Sequence, residues 1–547
     1  MKNGNGNNLL NKVGGRGFSF YLMTALAVLQ CLFSVLFALF IKMLVNSVEY
    51  KKDIKIIVLY AILLIASVLL SFISGVLYKI LYAKCATKVE TNLKKLAFNS
   101  FVKGSYENLI SFRSGDVISR LEGDCQKVAN TFTALIPSAL STIVHVLSVL
   151  AVLLFMQPLF TLVLVLSACL AFLVSYAIRK IIFKLNLNTR NSEGKTASFI
   201  GEVSSNSLFI KATSVENGII GLTNENFNSV YKNKLKQRVF SASALSLVSL
   251  AFTVVYAVTI IWAVLKVNSG VSGIDFGTLI AILQLGYQLR TPIMSLSAYI
   301  PSYYEMKSSL NRLSEICLDS EEEKVDVSNL EFVSATFNNV SFNYENGSAI
   351  LNGVNLQIDK SDVVSLKGQS GIGKSTFLKL LTGVYEPKSG SIILKFKKES
   401  GEILELEPKN VKGLFGFVPQ GNMLFAGSLY ANLTMLNECA SVEDIERAIK
   451  CACLEDVCKN GLDLEVGNGG NLLSEGQAQR VALARAIISG AKILVLDEFT
   501  SALDSQIESN IVKNVKELNA TIIAVSHKSE ILKICNKSYE VSGGKII

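Results

Sequence analysis

Long apolar runs fill the first 300 residues, whereas the remainder alternates short apolar stretches with charged ones. A helix that crosses a bilayer needs about 20 mostly apolar residues. Six segments reach that length, at approximately 19–45, 55–82, 134–156, 159–178, 240–266 and 274–300. Only Gln157 and Pro158 separate the third from the fourth, so a tight helical hairpin is expected where proline interrupts the pattern. Beyond Arg312 the acidic run Asp319–Glu323 and the polar residues after it read as a linker. Phe332–Tyr344 then alternates in the manner of strands, and Val363–Leu366 reads as a short buried strand. The pattern predicts an all-α membrane domain of six helices over residues 1–312, a linker over 313–330 and an α/β domain over 331–547.

Composition agrees with that division. Half of the 547 residues are hydrophobic and 18% are charged, and the mean hydropathy of +0.42 is too apolar for an ordinary soluble chain. The net charge of +9 is topological, because no Lys/Arg stripe interleaved with aromatics marks a nucleic-acid surface. Loop 83–133 carries eight Lys or Arg residues from Lys84 to Lys127, and loop 179–239 carries ten from Arg179 to Arg238. The alternating loops hold only Lys51 and Lys52, then none, then Lys266. Basic loops stay in the cytoplasm, so the N-terminus and the soluble half are expected there. Both basic loops are helix-rich, over Lys84–Val102 and Asn191–Lys211, which predicts that the spans run on as helices beyond the bilayer. Met1–Arg16 is polar, and the first span is too long for a cleaved signal peptide, so it is expected to be retained.

The ten cysteines form no disulfide framework and are expected as reduced thiols. Cys451, Cys453 and Cys458 cluster, but their spacing matches no zinc pattern, and small apolar residues on a helix are the simpler reading. Only His145 and His527 are present, which excludes histidine-rich metal chemistry. His145 sits inside the third span, where lining a substrate path and a neutral hydrogen-bonded place in the packing are both open. Arg290 lies about 25 Å along the sixth span from its outer end; it binds an anionic substrate or snorkels to the inner interface, the second being the simpler. Tyr287, Tyr299, Tyr303 and Tyr304 suit an amphipathic cargo, and equally suit helix packing and interface anchoring.

The chemistry lies in the soluble half. The strand ending at Leu366 leads into Gly368-Gln369-Ser370-Gly371-Ile372-Gly373-Lys374-Ser375, then Thr376 and a helix expected over Ser375–Leu381. Strand, glycine-rich loop and helix are the context of a phosphate-cradling P-loop. Its glycines let backbone N–H groups wrap the phosphates, Lys374 brings charge to the β/γ oxygens, and the Ser375 hydroxyl ligates Mg²⁺. Further on, the apolar strand Lys492–Leu496 ends in Asp497 and Glu498. Asp497 is expected to orient Mg²⁺ through its water shell, and Glu498 to polarise the attacking water as general base. Asn471-Leu472-Leu473-Ser474-Glu475-Gly476-Gln477 lies between these motifs, ahead of an amphipathic run, Ala478–Ser489.

That stretch resembles the signature of the ATP-binding-cassette family, Leu-Ser-Gly-Gly-Gln. The resemblance continues in order: Tyr344 matches the aromatic that stacks on adenine, and Gln420 the glutamine that senses Mg²⁺ and the attacking water. Asp504, in Ser501-Ala502-Leu503-Asp504, matches the loop that crosses a dimer interface, and His527 the histidine that contacts the γ-phosphate. In the first basic loop, Arg113–Leu121 looks like the exporter-type segment with its Gly-Asp and Ser-Arg. Six spans before one cassette is the half-transporter layout, so the likeness covers nearly the whole chain. It implies a P-loop ATPase domain with an antiparallel β subdomain and a helical subdomain. In this family each ATP lies between one chain's P-loop and another chain's signature, where Ser474, Gly476 and Gln477 are the expected contacts. A second half-transporter chain, identical or different, is therefore implied, with ATP and Mg²⁺ as cofactors. Three departures stand out: Glu475 replaces the first signature glycine, Asn468 stands where exporters usually carry an acid, and Gly390–Glu407 is longer than the usual hairpin.

The leading expectation is an ATP-driven exporter, an integral protein of a bacterial plasma membrane, that carries a lipid, peptide or drug-like amphipath by alternating access. A regulatory half of a heterodimer with unequal ATP sites is the alternative. An ATP-gated channel on the same scaffold is a rarer one, and six spans exclude a soluble ATPase acting on DNA. No Cys-containing peptidase domain precedes the spans, so leader cleavage by this chain is not expected.

Overall fold

The computed structural model describes residues 17–547 apart from Arg113, 269–274, 318–323, Glu345, Asn346, Ser348, Ser370, Asn422, Asn460 and His527. It also leaves undescribed some side chains within 159–183, 245–268 and 293–300, and that of Ser529. Two compact units form, one from residues up to Val102 together with Phe112–Leu318, the other from Lys103–Ser111 together with Asp319–Ile547.

The first unit is helical: α1 (Phe18–Glu49), α2 (Ile54–Val102), α3 (Cys125–Met156), α4 (Pro158–Ser205), α5 (Glu216–Asn268), α6 (Phe276–Gln288) and α7 (Arg290–Ile316). Among the described residues three helices are long and apolar enough to cross a membrane: α1, α2 and the stretch Ser114–Met156, which contain 18-residue windows of mean hydropathy 2.4, 3.0 and 2.4. Their outer faces carry large apolar side chains such as Phe72, Leu147 and Phe155, a surface suited to lipid rather than water. Helix α2 runs for 49 residues, or about 74 Å at the α-helical rise, well beyond a hydrocarbon core of about 30 Å. Gln157 alone, extended at φ −153°, separates α3 from α4, and Pro158 opens the second helix where its missing N–H is harmless. The sixth predicted span is not one helix but two, broken at Leu289. Pro292 accounts for the break: it cannot donate to the Gln288 carbonyl, and its ring crowds that group.

An ionic cluster around buried Arg120 and Asp124 organises this unit. A π-turn over Arg120–Asp124 leads into α3 and buries both of those residues. Arg120 donates to Asp116 and to Glu315, each at 2.8 Å, while Arg312 reaches Asp116 at 3.1 Å and Asp124 at 3.3 Å. Ser309 adds a hydroxyl to Asp124 at 2.7 Å, so the start of α3 is tied to the end of α7.

The second unit contains two main sheets. An antiparallel sheet orders β2 (Leu351–Asp359), β1 (Glu331–Phe342), β4 (Ser389–Lys397) and β5 (Ile403–Leu406). The long Gly390–Glu407 segment is thus the β4–β5 hairpin. A six-stranded sheet runs β10 (Lys545–Ile546), β9 (Lys537–Ser542), β3 (Val363–Lys367), β8 (Thr521–Val525), β7 (Ile493–Asp497) and β6 (Phe415–Val418). Strands β3, β6, β7 and β8 are mutually parallel, and β7 and β8 are buried at every residue, as expected where helices cover both faces. Helices α8 (Lys374–Leu381), α9 (Glu475–Ile488) and α10 (Ser505–Lys516) pack around this sheet. Residues 478–488 of α9 are buried all round rather than on one face. Its polar side chains permit this because each finds a partner: Gln479 on Ser501, Arg480 on Asp456 and Arg485 on the Met423 carbonyl.

Candidate nucleotide site

Parallel strands carry their loops to one edge of a sheet, and in open α/β sheets ligands bind outside the carboxyl ends of the strands. The register is tight here. Leu366 pairs with Val525, Val525 with Asp497, and Val418 with Leu496, so β3, β8, β7 and β6 end almost level. The P-loop follows β3, Gln420 follows β6, Asp497–Glu498 closes β7, and β8 ends two residues before His527. Ser370 and His527 themselves lie outside the described residues.

Gly368, Gly371 and Gly373 hold φ of +143°, +80° and +116°, a region that costs other residues free energy. At Gly373 the constraint is also spatial, since a Cβ would lie 2.7 Å from Ile350 Cγ2. The loop bends back so that the Lys374 ammonium donates to the Gly368 carbonyl at 2.6 Å and to that of Gln369 at 3.2 Å. Lys374 is only 6% exposed, so these carbonyls stand in for water. Ser375 and Thr376 occupy the first turn of α8, where backbone N–H groups and the helix dipole favour an anion.

The Ser375 hydroxyl faces the Asp497 carboxylate. Burial pushes the Asp497 carboxyl above its usual range, the Ser375 hydrogen bond pulls it down, and neighbouring Glu498 adds to the rise. Gln420 Nε2 donates to Glu498 at 2.7 Å. Glu498 itself is held at φ +51°, an uncommon conformation for a residue with a Cβ. Its N–H donates to Val525 at 3.0 Å and its carbonyl accepts from Ser501 at 3.2 Å, so the loop on either side enforces the turn.

Tyr344 sits in an aromatic group. Its ring meets Phe342 and Tyr385 edge-on at 5.2 and 5.5 Å, and its hydroxyl lies 3.1 Å from that of Thr376. Tyr106, on the short helix Tyr106–Ser111, continues the group against Tyr385 at 5.5 Å.

The second half of the predicted set lies apart from the P-loop in the sequence of elements, on the start of α9 and the approach to α10. Ser474 is the N-cap of α9, accepting from the Gln477 N–H while the Gln477 side chain accepts from the Ser474 N–H, a reciprocal capping box. Glu475 is exposed in the first turn of α9. Gly476 must remain small, because a Cβ would come within 2.7 Å of the Ala502 carbonyl. Asp504 is exposed and precedes α10 without capping it through its side chain. Sequence reasoning missed Gln479 and Lys528, which hold the Ser501–Asp504 loop. Their adjacency to Gln477 and His527 was the available signal.

In the membrane unit, His145 Nε2 lies 3.3 Å from Gln288 Oε1, Gln288 donates on to the Ser34 carbonyl at 3.1 Å, and Arg290 donates to the Ser249 hydroxyl.

A P-loop at the level carboxyl edge of a parallel sheet, with a buried carboxylate behind it and a long apolar helical unit ahead, defines a membrane-bound nucleotide-dependent ATPase. The transmembrane-region model of ABC transporters matches residues 20–293 and the ABC transporter model matches residues 351–501. The chain belongs to the ABC transporter family and is a half-transporter of the exporter type. It is 26% identical over 467 residues to the multidrug resistance ABC transporter ATP-binding and permease protein of Lactococcus lactis subsp. cremoris (strain MG1363), covering 84% of this chain and 78% of that one. It is likewise 26% identical over 529 residues to the alpha-hemolysin translocation ATP-binding protein HlyB of Escherichia coli, covering 94% and 73%. The solved structure of a bacterial Atm1-family ABC exporter with ATP bound shares the fold, with a TM-score of 0.80 at 22% identity over 96% of this chain and 93% of that one. The protein is an integral membrane transport ATPase that binds ATP and drives export.

Proposed function

We propose that the chain exports an amphipathic cargo, a lipid, a peptide or a drug-like molecule, by alternating access, hydrolysing ATP between two cassettes. The observation that carries the hydrolysis in this reading is the meeting of Gln420 and Glu498 at 2.7 Å on the sheet edge that also bears the P-loop. Here Lys374 exchanges its two loop carbonyls for the β/γ oxygens, and the P-loop glycines Gly368, Gly371 and Gly373 with Ser370, Ser375 and Thr376 complete the cradle. Ser375 and Asp497 are hard oxygen donors that already face each other, a donor set that fits Mg²⁺ with Gln420 as a further ligand. When bound, that ion neutralises charge on the phosphate oxygens. Glu498 takes the proton of the attacking water, Gln420 orients that water, His527 meets the γ-phosphate and Tyr344 stacks on adenine.

Ser474, Gly476 and Gln477 act on the nucleotide of a second half-transporter, and Asp504 crosses between the two. The six sequence segments cross the bilayer with the N-terminus and the cassette on the cytoplasmic side, surrounded by lipid. Nucleic acid is no partner. In purified protein reconstituted into lipid, ATPase activity is expected to change with some members of a panel of peptides, lipids and drug-like amphipaths. A rate identical across the panel would remove the amphipath-export reading.

A further inference from the structure

Lys528 follows His527 directly in the chain. Its ammonium donates to the Thr500 carbonyl at 2.6 Å and to the Leu503 carbonyl at 3.2 Å, and it pairs with the Glu508 carboxylate at 3.1 Å. These acceptors bracket the segment Ser501–Asp504. Thr500 precedes it, Leu503 lies within it, and Glu508 sits one turn into α10, its N–H bonded to the Asp504 carbonyl at 2.9 Å. Glu508 is 3% exposed, and a carboxylate so buried is costly without a charged partner.

The same segment is gripped from its other side. Gln479, 4% exposed on α9, donates to the Ser501 hydroxyl at 2.9 Å and accepts from the Ala502 N–H at 3.3 Å. Gly476 lies against the Ala502 carbonyl with no room for a Cβ. The segment therefore has little slack, and a displacement of its Leu503 end must carry Lys528 with it. An ammonium suits this task because its three donors can serve three acceptors at once.

We propose that Lys528 is a positioning residue for ATP hydrolysis: it fastens the loop bearing His527 to Ser501–Asp504, so that the two move as one piece. The proposal rests on the roles assigned above to His527 and Asp504. Lys528 acts through Thr500, Leu503 and Glu508, the groups its ammonium holds. Packing of Ser501–Asp504 against a second chain would then set the position of the His527 loop, and loss of the fastening would slow hydrolysis without weakening ATP binding.

The test compares kcat with the dissociation constant for a fluorescent ATP analogue in the purified full-length protein. Lys528→Met is expected to lower kcat roughly tenfold with binding unchanged, and Lys528→Arg, which keeps a multidentate cation, to restore most of it. The double variant Lys528→Met with Glu508→Gln removes the stranded charge too; it should fold even if the single variant fails to, and still show the low kcat. Wild-type kcat in a folded Lys528→Met or double variant would overturn the proposal, as would a parallel loss of binding. His527→Ala serves as the separate control. If it hydrolyses ATP at the wild-type rate, the reading of His527 fails; if it is inactive while Lys528→Met is normal, only the fastening fails.

Discussion

Gln420 donates from Nε2 to a Glu498 carboxylate oxygen at 2.7 Å, joining the ends of two neighbouring parallel strands. A glutamine and a glutamate so placed can hold one water between the phosphate and a base. Glu498→Gln keeps the size and the hydrogen bond but cannot take a proton. It is expected to lower kcat by a factor of about 10² to 10⁴ while the dissociation constant for ATP stays within a few-fold. Undiminished turnover would move the base elsewhere.

Gly373 combines φ of +116° with a space that a Cβ would fill to within 2.7 Å of Ile350 Cγ2. Gly373→Ala is expected to cost about 1–3 kcal/mol, seen as a lower unfolding temperature, and to displace Lys374, seen as weakened ATP binding. Normal binding in this variant would mean that the loop is more tolerant than its geometry implies.

Glu475 is favourable for its own helix, where an acid in the first turn meets the positive end of the dipole. In the proposed dimer the same carboxylate would repel the nucleotide of the second chain. Glu475→Gly is therefore expected to tighten ATP binding or raise the ATPase rate several-fold, at a stability cost of roughly 0.3–1 kcal/mol. A fall in both would show that the carboxylate assists the site.

Arg480 and Asp456 give a pH dependence of known sign. Two hydrogen bonds of 2.7 and 2.9 Å from the guanidinium hold the Asp456 carboxyl below its ordinary value of 3.8. Because the folded-state value is the lower one, this contribution is present above pH 3.8 and is lost as pH falls through the folded-state value. Asp456→Asn should lower stability at neutral pH and flatten the acid limb of an unfolding curve measured in detergent. An unchanged acid limb would mean that the pair contributes nothing.

The nucleotide edge was legible because its signals are local. A strand, a run of glycines and a helix occupy Val363–Leu381, and the acids at 497 and 498 directly end an apolar strand. Pro158 likewise marked the α3–α4 turn. The break at Leu289 was not read from the apolar run 274–300, although Pro292 was its cause, because hydropathy does not register a lost hydrogen bond. Ala478–Ser489 looked amphipathic because burial of Gln479, Arg480 and Arg485 depends on partners distant in sequence, at Ser501, Asp456 and Met423. The clamp by Lys528 was hidden for the same reason: its acceptors are two backbone carbonyls and a buried acid on another element.

In the proposed dimer Glu498 works in one site while Ser474 of the same chain serves another, and a mixture of two inactive variants separates these roles. Glu498→Gln and Ser474→Arg proteins should each lack ATPase activity. Mixed in equal amounts and allowed to exchange, half of the dimers would hold one intact site, restoring about a quarter of the wild-type rate. A mixture that forms dimers yet stays as inactive as its components would contradict the account.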